Sequence, residues 1–193
     1  MKSYELNGSS RTIAERSSEQ TKALKAMRRN NMVPCVLYGG EKNINFSVNR
    51  ADLRKLVYSP DIHYVNLTID GELHIAIMRE IQFHPVKDTI LHIDFYEIND
   101  QKPIVMEVPL KLEGLAVGVK AGGKMRQLMR TLRVKAIYTN IPEILTVDVS
   151  EMGLGKAKKI TDLSYENLEL INPKSAVVCM VAATRQSKDA AAQ

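Results

Sequence analysis

The sequence predicts a mostly β protein of two domains, with helices inserted between short strands. Its first half holds six or so short apolar runs separated by turn residues, which is typical of a small antiparallel β-barrel or sandwich. Asp70-Gly71 lies between two such runs, a dipeptide that favours a tight type I′ hairpin turn. The pattern breaks at the polar segment 99–103. The boundary between the domains is therefore placed there.

In the first domain, residues 1–98, the apolar runs predict strands and two segments predict helices. The predicted strands are Ser3–Gly8, Cys35–Tyr38, Asn43–Val48, Tyr64–Ile69, Leu73–Met78 and Thr89–Ile98. The first helix is predicted within residues 17–31. The second opens at Asn49, a residue that caps helix N-termini well, and ends before Ser59-Pro60.

The second domain, residues 104–183, reads as a further β unit. Predicted strands are Ile104–Leu112, Leu128–Tyr138, Leu145–Val149 and Ala176–Val181, with a glycine-punctuated loop after the first. Pro109 lacks an N–H group, so its strand is expected at a sheet edge. The tail 184–193 is expected to be disordered.

The composition is that of an ordinary globular protein, and its mildly basic charge suggests an anionic partner. The 193 residues are 45% hydrophobic and 25% charged, with a formal net charge of +5 and no Trp. The two cysteines, Cys35 and Cys179, lie in apolar runs and are expected to be buried thiols in a reducing compartment. The sequence shows neither a signal peptide nor a membrane span, so a cytoplasmic location with no membrane partner is expected.

The basic segment 17–40 is the most informative stretch. No acidic residue lies between Glu19 and Glu41, while four cations recur at helical spacing. A helical projection gathers these cations on one face, with Ala23, Leu24 and Met27 opposite. The helix leads into a strand that ends at Tyr38. A solvated amphipathic helix is the alternative interpretation. The four cations are Lys22, Lys25, Arg28 and Arg29.

Several kinds of chemistry are excluded or disfavoured by spacing. The four histidines show no His-x-x-x-His or Cys-x-x-Cys arrangement, so we expect no metal and no cofactor. There is no Gly-x-Ser-x-Gly elbow, and no Gly-Lys-Ser/Thr follows the glycine-rich stretch 114–123. The sequence therefore predicts that the protein is not an enzyme.

Nucleic acid is the better candidate for the anionic partner. Lys and Arg neutralise phosphates, and Tyr38 can stack or donate its hydroxyl group. His92 and Asp94 point to the same face of one predicted strand and can bond base edges or 2′-hydroxyls. Residues 1–98 carry a net charge of +1 and residues 99–193 carry +4. A basic cluster without acids lies in the second half, at Lys120, Lys124, Arg126, Arg130, Arg133 and Lys135.

Several motifs resemble those of one family, the bacterial large-subunit ribosomal proteins of the Ctc (general stress protein) family. They are the basic helix followed by Val33-Pro34-Cys35-Val36-Leu37-Tyr38-Gly39, then Gln82-Phe83-His84-Pro85 and His92-Ile93-Asp94-Phe95. The second half adds Gly118-Val119-Lys120-Ala121-Gly122-Gly123, Asn140-Ile141-Pro142-Glu143 and Val147-Asp148-Val149-Ser150, similar to the C-terminal domain of the long members.

The resemblance implies a six-stranded β-barrel that binds the loop E region of 5S rRNA, followed by a second mostly β domain. It implies a structural component of the large ribosomal subunit and leaves the partner of the second domain open, between other ribosomal RNA and a ribosomal protein. A stress-response or protein-interaction module with a solvated basic patch is the alternative. The implied contact set is Arg11, Arg28, Arg29, Tyr38, His92 and Asp94, with Lys22 and Lys25 extending the phosphate contacts.

Overall fold

The structure is a computed structural model that describes residues 1–12, 18–99 and 101–184, without the side chains of residues 18–20. The chain divides into two compact units, Met1–Lys102 and Pro103–Gln193. Both units are built mainly of strands, so the predicted fold class is confirmed. Ser17, Asp100 in the predicted domain boundary, and residues 185–193 of the tail expected to be disordered lie outside the described residues.

The first unit is a closed six-stranded barrel with two helices. Around the barrel the strand order is β1-β3-β2-β6-β5-β4. The elements are β1 (Lys2–Ser10), α1 (Ser18–Arg29), β2 (Met32–Tyr38), β3 (Ile44–Asn49), α2 (Arg50–Val57), β4 (His63–Ile69), β5 (Glu72–Phe83) and β6 (Ile90–Glu97).

Two of the six strand pairings differ from the predicted antiparallel arrangement. β1 pairs with β4 in parallel, and β2 pairs with β6 in parallel. Turn signals in the sequence report only neighbours that a tight hairpin joins, and such neighbours are antiparallel. Closing the barrel instead joins strands that are distant in sequence, and no local pattern indicates their direction.

The barrel interior is filled by alternate residues of each strand. On β2 and β6 the inward side chains include Leu37 and Phe95, each fully buried. Phe95 lies against Phe46 of β3, with ring centroids 5.7 Å apart. Leu53 and Leu56 of α2 are buried in the same core. Because inward and outward positions alternate, the residues between these core positions face outward.

The hairpin that joins β4 and β5 forms as predicted. Asp70 and Gly71 both have positive φ, 49° and 94°, as a type I′ turn requires. β5 then runs beyond the predicted end at Met78 as far as Phe83, passing register shifts between Met78 and Glu80 and between Gln82 and Phe83. The strand was predicted too short because a bulge interrupts the alternation that marks it.

The second unit contains two sheets. One has the strand order β10-β7-β9-β12 and the other β11-β13-β8. The elements are β7 (Ile104–Glu113), α3 (Val117–Lys120), β8 (Lys124–Gln127), β9 (Thr131–Ala136), β10 (Leu145–Asp148), β11 (Ala157–Lys159), β12 (Glu169–Leu170) and β13 (Val177–Ala182), with 3₁₀ turns at Tyr138–Asn140 and Ile160–Asp162.

Pro109 does not lie on an edge strand, so that prediction is wrong. β7 lies between β9 and β10 in its sheet. Its register with β9 extends from Ile104 to Pro109, and its register with β10 begins at Leu110. The proline therefore lies where the strand exchanges one partner for the other, a position that tolerates a missing N–H group better than the middle of a ladder.

None of the helices in the described ranges is long and apolar enough to cross a membrane.

The cap of α2 provides a test of the fold. The Asn49 side chain accepts a hydrogen bond from the backbone N–H of Ala51 at 3.0 Å. Asn49→Ala should lower the free energy of unfolding by about 1 kcal/mol, because it removes the N-cap acceptor of a helix whose leucines fill the core. Asn49→Asp keeps an acceptor and should retain most of the stability. Urea unfolding followed by circular dichroism measures both, and equal losses would contradict the capping role.

Candidate nucleic-acid interface

The helix α1 presents its cations to solvent. Lys22, Lys25 and Arg29 are exposed, whereas Leu24 and Met27 are half-buried. The helix packs against β2, so its apolar side faces the barrel. Ala23 is exposed rather than packed, which narrows the predicted apolar face. A one-sided basic helix is therefore present as predicted.

Arg28 differs from the other three cations because it also fastens the helix to the barrel. Its side chain is half-buried, and its Nε donates a hydrogen bond to the carbonyl oxygen of Leu91 at 3.2 Å. Leu91 lies in β6, one residue before His92. The contact therefore places a guanidinium group next to the strand that carries His92 and Asp94.

The parallel register of β2 and β6 brings the remaining predicted residues together. Val36 is opposite Asp94, and Tyr38 is opposite Tyr96. The rings of Tyr38 and Tyr96 form an edge-to-face pair with centroids 5.6 Å apart. Because paired residues share a face, Tyr38 and Asp94 both lie on the outside of the barrel.

His92 and Asp94 form a hydrogen-bonded pair on that outer face. The His92 Nδ1 lies 2.7 Å from the Asp94 Oδ1, and the side chains are 23% and 28% exposed. A carboxylate only accepts, so Nδ1 carries the hydrogen and a neutral imidazole presents Nε2 as an acceptor. Asp94 thus orients the ring and keeps a second carboxylate oxygen for another donor.

Arg11 lies beside Arg28 at the end of β1. Its backbone N–H donates to the carbonyl oxygen of Asn45 at 2.8 Å. Burial lowers the pKa of the Arg11 guanidinium, the Cys35 thiol opposes this shift, and the nearby Arg28 charge adds to it. Its Nε is buried and has no hydrogen-bond partner among the described residues. An arginine stays protonated despite such a shift. The surface around Arg11 and Arg28 is therefore strongly attractive to an anion.

Both cysteines are free and buried, as predicted. Burial raises the pKa of the Cys35 thiol to about 12, with the Arg11 charge opposing the shift. The thiolate fraction is then negligible at neutral pH, and nucleophilic chemistry needs the thiolate. Cys35 therefore belongs to the barrel core rather than to the interface.

Two exposed residues of β5 that were outside the predicted set lie beside the His92–Asp94 pair. In the register of β5 and β6, Gln82 lies opposite His92 and Glu80 lies opposite Asp94. Both side chains are exposed. The sequence could have indicated these two residues only if β5 had been predicted to extend to Phe83. The bulge obscured the alternation that would have shown this extension.

No metal centre is formed by the residues that the structure describes, because no group of three or more His, Cys, Asp or Glu side chains is arranged to hold an ion. His74 instead bonds Glu97 through Nδ1 at 2.9 Å.

Comparison with known proteins assigns the family. Residues 10–95 match the model of the ribosomal L25p family, and residues 103–185 match that of the C-terminal domain of ribosomal protein TL5. The large ribosomal subunit protein bL25 of Bacteroides fragilis is 62% identical over 192 residues, which is all of this chain and 98% of the relative. The chain belongs to the ribosomal L25p family.

Other relatives cover the chain as completely. The bL25 proteins of Bacteroides thetaiotaomicron and Porphyromonas gingivalis are 60% and 49% identical, over 100% and 99% of this chain and 98% of each relative. The ribosomal L25p family is structural and non-enzymatic. The family assignment therefore confirms a two-domain ribosomal protein that is not an enzyme.

The bond from Arg28 to Leu91 can be tested without RNA. Arg28→Lys keeps the charge but loses the Nε donor, so the free energy of unfolding should fall by about 1 kcal/mol. Arg29→Lys is the matched control, because Arg29 is exposed, and it should leave stability unchanged. Urea unfolding of both variants decides the question. Equal stability of the two variants would show that the bond does not anchor the helix.

Proposed function

We propose that this chain is a structural component of the large ribosomal subunit that binds 5S rRNA through one outer face of its barrel. We call this surface the α1–β6 face. The implied binding region is loop E, a helix of non-Watson–Crick pairs with an open minor groove. The residues of the α1–β6 face are Arg11, Lys22, Lys25, Arg28, Arg29, Tyr38, His92 and Asp94. Gln82 extends the face along β5.

The observation that carries the proposal is the His92–Asp94 pair beside Arg28. A carboxylate on a surface that meets phosphates is repelled by them, so Asp94 is useful there only if it accepts a hydrogen bond. Donors of the right kind are guanine or cytosine amino groups and the ribose 2′-hydroxyl. The oriented pair presents the second carboxylate oxygen of Asp94 and the Nε2 of His92 to such groups.

The cations around the pair supply the affinity. Lys22, Lys25 and Arg29 are exposed on α1, and the half-buried Arg28 holds the helix against β6. Charged contacts to phosphates position a protein on its RNA, whereas contacts to base edges and hydroxyls select the site. The face thus combines a positioning helix with a selective strand.

A location follows from this proposal. A component of the bacterial large subunit works in the cytoplasm with the ribosome, which agrees with the buried free thiols of Cys35 and Cys179.

Binding to 5S rRNA should depend strongly on salt. About six phosphate contacts would give a slope of about −4 to −5 in a plot of log affinity against log salt concentration. Filter binding at several potassium chloride concentrations measures this slope. A flat salt response, or equal affinity for an unrelated RNA duplex, would favour the protein-interaction alternative.

Asp94→Asn tests the role of the carboxylate by the sign of its effect. If Asp94 accepts from a base or ribose, the variant should weaken the 5S complex by about 1–3 kcal/mol. Glu80→Gln is the matched control. It removes the same charge from the position opposite Asp94, and because Glu80 is not a proposed contact the variant should not weaken the complex. Tighter binding in both variants would mean that Asp94 only repels phosphates, and the proposed selectivity would be wrong.

The first unit should fold alone and carry most of the affinity for 5S rRNA. The proposed contact set lies wholly within Met1–Lys102, whose barrel closes within that unit. Residues 1–102 and 103–193 are to be expressed separately, checked for folding by circular dichroism, and titrated with 5S rRNA. If the second fragment retained the affinity while a folded first fragment lost it, the site would be misassigned.

A further inference from the structure

The three-stranded sheet of the second unit carries cations without any acidic residue. β8 contains Lys124 and Arg126, and β11 contains Lys158 and Lys159. β13, between them, is apolar throughout. The charged side chains of this sheet are all positive, and such a surface attracts an anionic partner.

The register separates the two faces of this sheet. Cys179 and Val181 of β13 are fully buried, and so is Val178, which lies at the register shift with β11. The alternate residues Met180 and Ala182 are half-buried, and they pair with Arg126 and Lys124 respectively. Since paired residues share a face, Lys124 and Arg126 point away from the core.

The far edge of the sheet adds further positive charge. Lys156 precedes β11 and Lys159 is its last residue. Both side chains are exposed. Lys158 is engaged within the unit, because its Nζ donates to the carbonyl oxygen of Asp148 at 2.7 Å. β8 and β11 lie on opposite sides of β13. Lys158 and Lys159 pair with Cys179 and Val177 across a register shift, so the register places only Lys124 and Arg126 on the face of Met180 and Ala182.

The basic segment 120–135 therefore has two different parts. On β9, Arg133 pairs with Glu107 at 3.0 Å and Lys135 pairs with Glu169 at 3.2 Å. Lys124 and Arg126 have no carboxylate partner among the described residues. Their charge remains available to a ligand, whereas the charge on β9 is neutralised in place.

We infer that Lys124 and Arg126 form a second RNA-binding surface on the outer face of the β8–β13–β11 sheet, the β8–β11 face, which takes the phosphodiester backbone. The inference rests on the proposed function for its RNA partner and concerns a different unit of the chain. Lys124 and Arg126 are two residues apart on one strand, a separation of about 7 Å. Each strand of a nucleic-acid duplex presents a phosphate about every 3.4 Å along the axis, so the two side chains can each meet a phosphate.

The chemistry of the face favours backbone contact without sequence reading. The three strands contain no aromatic residue, so no ring is available to stack a base. Lysine is depleted in protein–protein interfaces, whereas exposed lysine and arginine side chains line this sheet. The charge therefore favours RNA over a protein.

The test uses the full chain with paired charge substitutions. K124Q/R126Q removes two charges from the β8–β11 face, and R133Q/K135Q removes the same number from β9. The probe is an RNA duplex of about 20 base pairs that lacks loop E, with 5S rRNA measured in parallel. Thermal unfolding establishes that every variant is folded.

K124Q/R126Q should weaken duplex binding about tenfold and reduce the salt slope by about 1.5, as the loss of two phosphate contacts requires. R133Q/K135Q should stay within about twofold of the unmodified chain. Equal losses in both variants, or no loss in K124Q/R126Q, would overturn the inference. Tighter binding of an acidic Glu-Gly peptide than of the duplex at the same salt would also overturn it, assigning the face to a protein.

R28A/R29A in the same assay reports on the α1–β6 face. Both surfaces are supported if R28A/R29A binds 5S rRNA weakly and K124Q/R126Q still weakens binding of the duplex. Unchanged 5S binding by R28A/R29A would contradict the proposed function and leave the duplex result to decide the second surface.

Discussion

The parallel pairing of β2 with β6 is the constraint on which the candidate interface depends. It joins residues far apart in sequence and sets Cys35 opposite Ile93 in the core and Val36 opposite Asp94 outside. A shift of this register by one residue would point the Asp94 side chain into the apolar interior of the barrel. An unpaired charge buried there would strongly destabilise the fold. The packing of the core therefore determines which polar groups lie on the outer face.

Attachment of α1 to this pair of strands brings the proposed phosphate contacts and the proposed base contacts to one place. Arg28 reaches from the end of α1 to the backbone of β6, and Arg11 approaches it from the end of β1. Two neighbouring guanidinium groups repel each other in the free protein. A bound phosphate would relieve that repulsion and offer an acceptor to the buried Arg11 Nε. The free protein thus holds its cations in an arrangement that an anion stabilises.

The sequence predicted those features that local chemistry determines. Asp70-Gly71 indicated the hairpin, Asn49 the start of α2, and the helical spacing of Lys22, Lys25 and Arg29 an exposed basic face. It could not predict the parallel pairings, because barrel closure joins distant strands through the core. Nor could it predict which cations of the second half are neutralised, since Arg133 meets Glu107 only across the register of two strands.

Amide hydrogen exchange of the full chain, free and bound to 5S rRNA, locates the surface that the RNA covers. Binding should slow exchange in residues 20–40 and 90–97, where α1, β2 and β6 form the α1–β6 face. Exchange in β4, which lies away from β2 and β6 in the closed strand order, should change little. Slower exchange in β4 or α2, with β2 and β6 unchanged, would contradict binding at the α1–β6 face.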